Sequence, residues 1–352
     1  MRSSLLIAVI FLTFQHGAFG KTYTVSPGMF IQEVLDKAEE GDTVQILPGD
    51  YCETITINTP GITVKGFEYE GAYTVFNGRN MGGGFLENAI FVNASNVTLQ
   101  DLKILSFENV AIQVSSVENI SISGVDISQV RNIAIALTDV SKSILNECQI
   151  RDAEQTGVIL RDCREITIQE SEIYRNSIAV DIKDSVTVAI KEVAFYHNQS
   201  GVVMEGENTD EEIRSSHIKI SHCRFIGNGG GAKATKESFG LGIFINGYDH
   251  VEVSHSYFES NSTYGILVQS NSTNGRTFLT NHVYVHHNHY SNNGGAPNSE
   301  FLKPFSEADG GDILFDGKGE RNQFQEKTEL KTWPKELVQE LGGVHTEMIH
   351  FI

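Results

Sequence analysis

Positive charge is scarce in this sequence. Its 352 residues hold 26 Lys and Arg against 45 Asp and Glu, a formal net charge of −19 at neutral pH. Nucleic acid and anionic membrane both need a positive footprint, so neither is an expected partner. An acidic glycan would also be repelled at long range, and would need basic residues or bound cations gathered locally. Cysteine is scarce too: the four, at 52, 148, 163 and 223, are too few and too scattered for a disulfide framework. Long apolar runs are missing after the first residues, and no later segment reads as a membrane anchor.

What is present starts with "MRSSLLIAVIFLTFQHGAFG". One Arg, an apolar run from Leu5 to Phe14 and the small-residue exit Ala18-Phe19-Gly20 have the layout of a secretory signal peptide over residues 1–20. The expected location is extracellular, with no membrane insertion. Asn93, Asn96, Asn119, Asn198, Asn261 and Asn271 each head an N-x-S/T triplet and are candidate N-glycosylation sites in a eukaryotic host.

The dominant feature is repetition. "ISHCRFIGN" (220–228), "VSHSYFESN" (253–261) and "VHHNHYSNN" (285–293) write one phrase three times, with a histidine at the same place. Taking the second apolar residue of each apolar-x-apolar pair as a marker gives Leu99, Ile122, Leu145, Ile168, Ile190, Ile220, Val253 and Val285. The steps are about 23 residues at first and roughly 30 later, which is a solenoid period with insertions. Within "REITIQESEIYRNSIAVDI" (164–182) the apolar residues alternate and are interrupted by short polar corners. Three short strands per turn and no helix between them fit one coil of a parallel β-helix, with coils stacked about 4.8 Å apart. No single coil can bury its apolar face, and stacking closes the core.

The ends differ from the coils. After "SPGM", residues 30–40 predict an amphipathic helix with Phe30, Ile31, Val34, Leu35 and Ala38 on one face, closed by Gly41 and placed as a lid on the first coil. Residues 301–352 contain "EADGGDILFDGKGERN" and a short helix candidate from Thr332 to Leu341, and are expected to form an irregular cap. The expected organisation is a leader over 1–20, an all-β parallel β-helix solenoid with an N-terminal capping helix over 21–300, and a C-terminal capping segment over 301–352.

These coils resemble the right-handed parallel β-helix, pectin-lyase-like proteins. The opening "IQEVLDKAEEGDTVQILPGDYCETITI" and the closing "GGDILFDGKGERNQF" look like those of secreted parallel β-helix repeat proteins. The resemblance implies the fold, which hosts polysaccharide lyases, hydrolases, epimerases and non-enzymes alike. Three signatures of particular activities are missing: the epimerase Y-G-x-D-P-H, the paired Asp and Gly-His-Gly of polygalacturonases, and the pectate-lyase Arg-x-Pro-x-x-Arg.

Aligned coils place Gly124, Glu147, Glu170, Glu192, His222, His255 and His287 in one column at the corner after the marker strand. Such a ladder could face a metal or a sugar polymer, although solenoid corners are polar by default. One position on, Val125, Cys148, Ser171, Val193, Cys223, Ser256 and Asn288 read as an inward stack. Cys148 and Cys223 share that column three coils apart, too far for a disulfide, and the thiols are expected buried and reduced. "NGYDHVEVSH" (246–255) supplies the candidate catalytic residues Tyr248, Asp249, His250 and His255. Insertions at 205–217 and 269–282 leave the coil at one point, and 227–240 leaves at another. They carry Arg214, Arg276, Lys233 and Lys236, which join His222 and His287 as candidate substrate-binding residues.

In a lyase-type reaction Lys or Arg neutralises the uronate carboxylate as a cation or, unprotonated, acts as base on the proton beside it, and a His or Tyr protonates the leaving oxygen. Asp309, Asp312 and Asp316, with Glu320, form a candidate calcium site without the order of an EF-hand loop. In "HVYVHHNHY" (282–290), alternation is expected to send His287 and His289 away from His286, against a zinc site. Two functions stay open. One is a secreted carbohydrate-active protein that binds, and cleaves or epimerises, an acidic polysaccharide. The other is a non-catalytic extracellular structural, adhesive or carbohydrate-binding β-helix.

Overall fold

A computed structural model describes residues 20–80, 82–206, 216–229, 240–270, 279–294 and 311–316, and the short strand pieces 272–273, 276–277 and 323–324. Residues 1–19, which hold nearly all of the expected leader, and most of 301–352 lie outside these residues, as do the candidates Arg214, Lys233, Lys236, Asp309 and Glu320 and the triplet at Asn271. Arg276, Asp312 and Asp316 fall on described strand backbone, but their side chains are outside the description.

Alternation at period two gives short strands, and the polar corners turn them onto three faces. Face 1 carries, among others, Thr98–Gln100, Ser121–Ser123, Arg164–Gln169, Val186–Lys191, Ile218–Ser221, Asp249–Ser254 and Asn281–His286. Face 2 carries Ala72–Asn77 and then three-residue strands from Lys103–Leu105 to His289–Ser291. Face 3 carries Asn88–Val92, Thr156–Arg161, Ile178–Lys183, Ser200–Glu205, Leu241–Asn246, Tyr264–Gln269 and Gly311–Asp316. The long strands Val110–Glu118 and Ile133–Asn146 bend from face 3 onto face 1. Neighbours from successive coils pair in parallel. The marker residues form one continuous rung series, Leu99–Ile122–Leu145–Ile168–Ile190–Ile220–Val253–Val285, as the period requires.

Inward residues stack on their own kind. On face 2 the rings of Phe195, Phe225, Phe258 and Tyr290 lie nearly parallel, with centroids 4.8, 4.8 and 5.2 Å apart. Removing water from such faces is the main stabilising term. Cys148, Cys163 and Cys223 are buried and unpaired, and Cys52 is exposed and unpaired. Cys148 and Cys223 take backbone bonds from the same inward column, each amide donating to the serine one coil above (Ser171 Oγ 3.0 Å, Ser256 Oγ 3.1 Å).

The corners have a backbone rule of their own. Asn96, Asn119, Lys142, Glu165, Thr187, His217, His250 and His282, at the start of face 1, all have positive φ. So do Asp101, Gly124, Glu147, Glu170, Glu192, His222, His255 and His287 at its end, and Ser106, Gln129, Asp152, Arg175, His197, Gly227, Ser260 and Asn292 between faces 2 and 3. The left-handed conformation costs about 1–2 kcal/mol for most non-glycine residues. It is offset because each corner amide can donate to the coil above, as Asp101 N does to Ser123 O (3.0 Å) and His222 N to Ser254 O (3.2 Å).

Directly after the third set of corners runs a column of asparagines, the buried Asn176, Asn198, Asn228 and Asn261 and the half-buried Asn293. Each of the first four donates its Nδ2 to the next Oδ1, at 3.1, 3.2, 2.8 and 2.8 Å. This corrects two expected glycosylation sites. Asn198 and Asn261 are wholly buried, with the amide nitrogen an oligosaccharide would need already donating to Ile173 O and Phe225 O. Asn93, Asn96 and Asn119 are exposed. Asn119 sits one rung above Asn96 and donates to its Oδ1 at 2.8 Å.

At the N-terminal end the helix is a single short element, Ile31–Leu35, packed on the strands Thr22–Val25, Thr43–Ile46 and Ile55–Ile57. Ile31, Val34, Leu35 and Ala38 are buried there. Phe30, expected on the same face, precedes the helix in extended conformation and is 63% exposed. Among the described residues no helix is long and apolar enough to cross a membrane. The insertions leave where expected: Gly206 and Ser216, and Gln269 and Thr280, flank the face 3 to face 1 corner, whereas Gly229 and Gly240 flank the face 2 to face 3 corner.

Candidate functional site

Three successive strands of face 1 begin and end in histidine: "HIKISH" (217–222), "HVEVSH" (250–255) and "HVYVHH" (282–287). Corner geometry turns these six residues outward in two columns, one at each edge of the face. Between the columns, alternation points Lys219, Glu252 and Tyr284 outward, one above another.

The first column has a buried carboxylate behind it. Asp249 is 3% exposed, and its backbone is fixed by Ser216, whose amide donates to Asp249 O at 2.8 Å. Asp249 Oδ2 lies 2.5 Å from His250 Nδ1, and Oδ1 lies 2.7 Å from His282 Nδ1. An ionised carboxylate only accepts, so both imidazoles donate through Nδ1 and direct Nε2 away from Asp249. The two rings stack at 4.5 Å, and His217 lies 5.2 Å from His250.

The second column continues the corner column of Glu147, Glu170 and Glu192 as a histidine stack. His222, His255 and His287 lie 5.1 Å apart and within 6° of parallel. His286 joins it, with Nδ1 2.8 Å from His287 Nδ1. This corrects the expectation that the two diverge: the left-handed turn at His287 folds it back against its neighbour. His289 goes elsewhere, stacking on Tyr257 at 4.8 Å on face 2. Burial, then the charges of His222 and His287, hold the His255 imidazole below its ordinary range. Glu252 ties the columns together, meeting Lys219 Nζ at 3.2 Å, Ser254 Oγ at 3.2 Å and His286 Nε2 at 3.4 Å. Desolvation pushes the Glu252 carboxyl upward, but Lys219, Ser254 and His286 together outweigh it and leave the group below its usual range.

Tyr248 is not part of this surface. Its ring is 1% exposed and its hydroxyl donates to Ile182 O at 3.3 Å and accepts from Ser185 N at 3.4 Å. Burial raises its phenol pKa far above the ordinary value. It fills the corner beside Gly206, where a Cβ would meet Gly247 O at 2.3 Å and the Tyr248 ring at 2.9 Å. Tyr248 is therefore a core residue. Tyr284 is the phenol the face presents.

Asp249, His250 and His282 each offer one ligand atom within 4.8 Å of the others. One carboxylate between two imidazoles does not suit calcium, which takes six to eight oxygens, and is closer to what a zinc-like ion accepts. In the observed arrangement both carboxylate oxygens orient imidazoles, which is the geometry of acid–base groups. The parallel rings of the second column stand too far apart for their nitrogens to converge on one ion.

The sequence family described as the right handed beta helix region matches residues 88–241. The chain folds as a right-handed parallel β-helix. Solved β-helices superpose over most of its length. They include DFA-IIIase from Arthrobacter chlorophenolicus A6 in complex with GF2, with TM-score 0.59 and 10% identity over 86% of this chain and 93% of that one. Polygalacturonase from Erwinia carotovora ssp. carotovora gives TM-score 0.56 and 12% identity, over 88% and 95%. The A-module of an Azotobacter vinelandii mannuronan C-5 epimerase gives 0.51 and 12%, over 84% and 91%. At such identity the likeness is one of fold. No curated protein sequence matches the chain.

Of the sequence-based candidates, this β-helix brings Asp249 and His250 together and places His222, His255 and His287 in one stack. It adds His217, His282, His286, Glu252, Lys219 and Tyr284. His217 and His282 were detectable in the sequence, since they stand three residues before the markers Ile220 and Val285, as His250 does before Val253. Alignment on the second histidine alone passed over them.

Proposed function

We propose that this chain is an extracellular β-helix that binds an acidic polysaccharide along the histidine-bearing part of face 1 and acts on it by proton transfer, as a lyase or an epimerase. The observation that carries this reading is Asp249, one buried carboxylate orienting two stacked imidazoles on an otherwise polar surface. The neighbouring folds of a polygalacturonase and a mannuronan epimerase support a polysaccharide as the ligand class. A leader-like N-terminus and the exposed triplets at Asn93, Asn96 and Asn119 support export and N-glycosylation there.

The chemistry follows from the pair. One imidazole Nε2 takes the proton on the carbon next to the uronate carboxylate, while Lys219 stands nearby to offset the charge that develops. In elimination, the electron pair forms the new double bond as the glycosidic oxygen leaves with a proton from the second imidazole. In epimerisation, the carbon takes a proton on its opposite side from solvent, and the protonated imidazole later returns its own proton to solvent. The carboxylate stabilises whichever imidazole is protonated.

The test is a panel of uronate polymers, with unsaturated product followed by ultraviolet absorbance and inversion by NMR of the anomeric protons. Asp249→Asn keeps the shape and removes the charge, and the expected loss of turnover is roughly 100-fold or more. Turnover that Asp249→Asn leaves unchanged would refute the assignment. Wild-type protein that binds such polymers without changing any of them would leave the non-catalytic reading.

A further inference from the structure

A second feature lies far along the stack from the histidine strands, at the corner between faces 2 and 3. The strand Ala72–Asn77 does not pass directly to Asn88–Val92. A hairpin intervenes, closed by an antiparallel bridge between Arg79 and Phe85 and by Leu86 N donating to Gly78 O at 2.8 Å. Asn80 Oδ1 accepts from Gly82 N and Gly84 N, both at 3.0 Å, which fixes the tip. Between this hairpin and the corner residues Ser106, Gln129 and Asp152 is an open cleft of ≈ 460 Å³. That is within the roughly 300–1,000 Å³ usual for small-molecule sites.

Its lining carries both signs of charge: Arg79 and Arg131 share it with Glu154 and with Asp152, whose carboxylate is already paired with Arg175 at 2.7 Å. The half-buried Phe85 ring has two guanidinium groups against it, Arg131 at 5.0 Å and Arg79 at 5.8 Å from the centroid. Each cation is attracted to the ring, but the two repel each other. Arg131 pairs with Glu108 at 2.8 Å, an exposed ion pair of little strength. Among the described residues Arg79 has no carboxylate partner. Ser106 Oγ donates to Gln129 Oε1 at 3.2 Å, which leaves the Gln129 amide as a donor to a ligand. The corner residues follow one another at the strand spacing of about 4.8 Å, comparable to one sugar in a 1,4-linked chain.

An aromatic face, two guanidinium forks and a row of polar corners match a ring that is apolar on one side and bears a carboxylate. We infer that this cleft is a saccharide-binding site for a uronic acid unit, with Phe85 against the sugar ring and Arg79 and Arg131 on its carboxylate. The site is separate from the histidine strands and stands whether or not these catalyse a reaction.

The experiment uses the full chain carrying His250→Gln and His282→Gln, so that the histidine pair does not contribute. Tetramers of galacturonate and of mannuronate, and the neutral cellotetraose, are titrated calorimetrically. Saturable binding of an acidic tetramer is expected, with cellotetraose weaker by roughly tenfold or more, the loss of a charge-assisted pair. Arg79→Gln and Phe85→Ala should each weaken binding by about the same factor, and Arg79→Lys by less, because charge remains and the fork does not. Unchanged urea midpoints establish that the variants fold. No saturable uronate binding, equal affinity for the neutral tetramer, or affinity indifferent to Arg79→Gln and Phe85→Ala would each overturn the inference. Turnover by the wild-type chain is measured separately, so failure here and failure of the acid–base reading are distinguishable.

Discussion

Inward residues at the corners are chemically quiet, and the cysteines show it. Burial pushes the Cys148 thiol up to about 11 and the Cys223 thiol up to about 12, from an ordinary value of 9.0, and raises Cys163 as well. In the unfolded chain these thiols lose their protons above pH 9.0, whereas the folded chain keeps them. The unfolded state then binds fewer protons, so stability falls as pH rises from about 9 toward 12. Urea midpoints should decline over that window, and less so in Cys223→Ala than in the parent. At neutral pH one thiol, Cys52, should react with an aromatic disulfide reagent, the other three only on unfolding. Such single-residue environments were only partly legible in the sequence. Column position predicted the buried thiols, yet it could not show that Tyr248 turns inward to fill a corner while Asp249, next to it, turns two histidines outward.

The elements owe their order to the ladders between them. Asn228 shows how tightly: its Nδ2 donates to Phe195 O (3.3 Å) and Asn261 Oδ1 (2.8 Å), while its Oδ1 accepts from Asn198 N (3.1 Å). Asn228→Ala would orphan buried groups on two coils, and the expected cost is about 2–3 kcal/mol. Chemical denaturation measures it directly. A loss under about 0.5 kcal/mol would mean that water replaces the amide and that the column is not structural. At this scale the sequence was read well wherever alternation spoke, as at Ile166, Ile168 and Ile173, and misread where one residue type has two uses. "NQS" at 198–200 and "NST" at 261–263 satisfy the glycosylation pattern, and only the recurrence of Asn one residue after a left-handed corner reveals them as rungs. The apolar spacing of Phe30 and Ala38 runs past the ends of the short helix Ile31–Leu35, with Phe30 in extended backbone and Ala38 in a three-residue turn onto Leu35 O.

For the molecule as a whole, the net charge of −19 opposes any acidic polymer until it is within reach of local cations. Screening should therefore speed the encounter. Raising ionic strength from 0.01 to 0.1 M shortens the Debye length from about 30 to about 10 Å, and the association rate with a polyuronate should rise over that range, then level off. Stopped-flow fluorescence with a labelled polymer reads this out. A rate that falls steadily with salt would mean that a cationic surface steers the approach instead. The architecture itself was legible because a solenoid writes its fold locally: each coil repeats its neighbour's pattern, and residues about 23 positions apart become adjacent. The location of the histidine surface depended on which insertion follows which face, and this needed the register.

That register has a further result. Between Ile168 and Ile190 the chain uses 22 residues to climb one rung, and between Ile220 and Val253 it uses 33, yet both pairs are direct neighbours in the ladder. Material added at a bend widens the rod without lengthening it. A lineage of such proteins can therefore gain or lose side arms at any level while the pitch presented to a long, regular ligand stays the same.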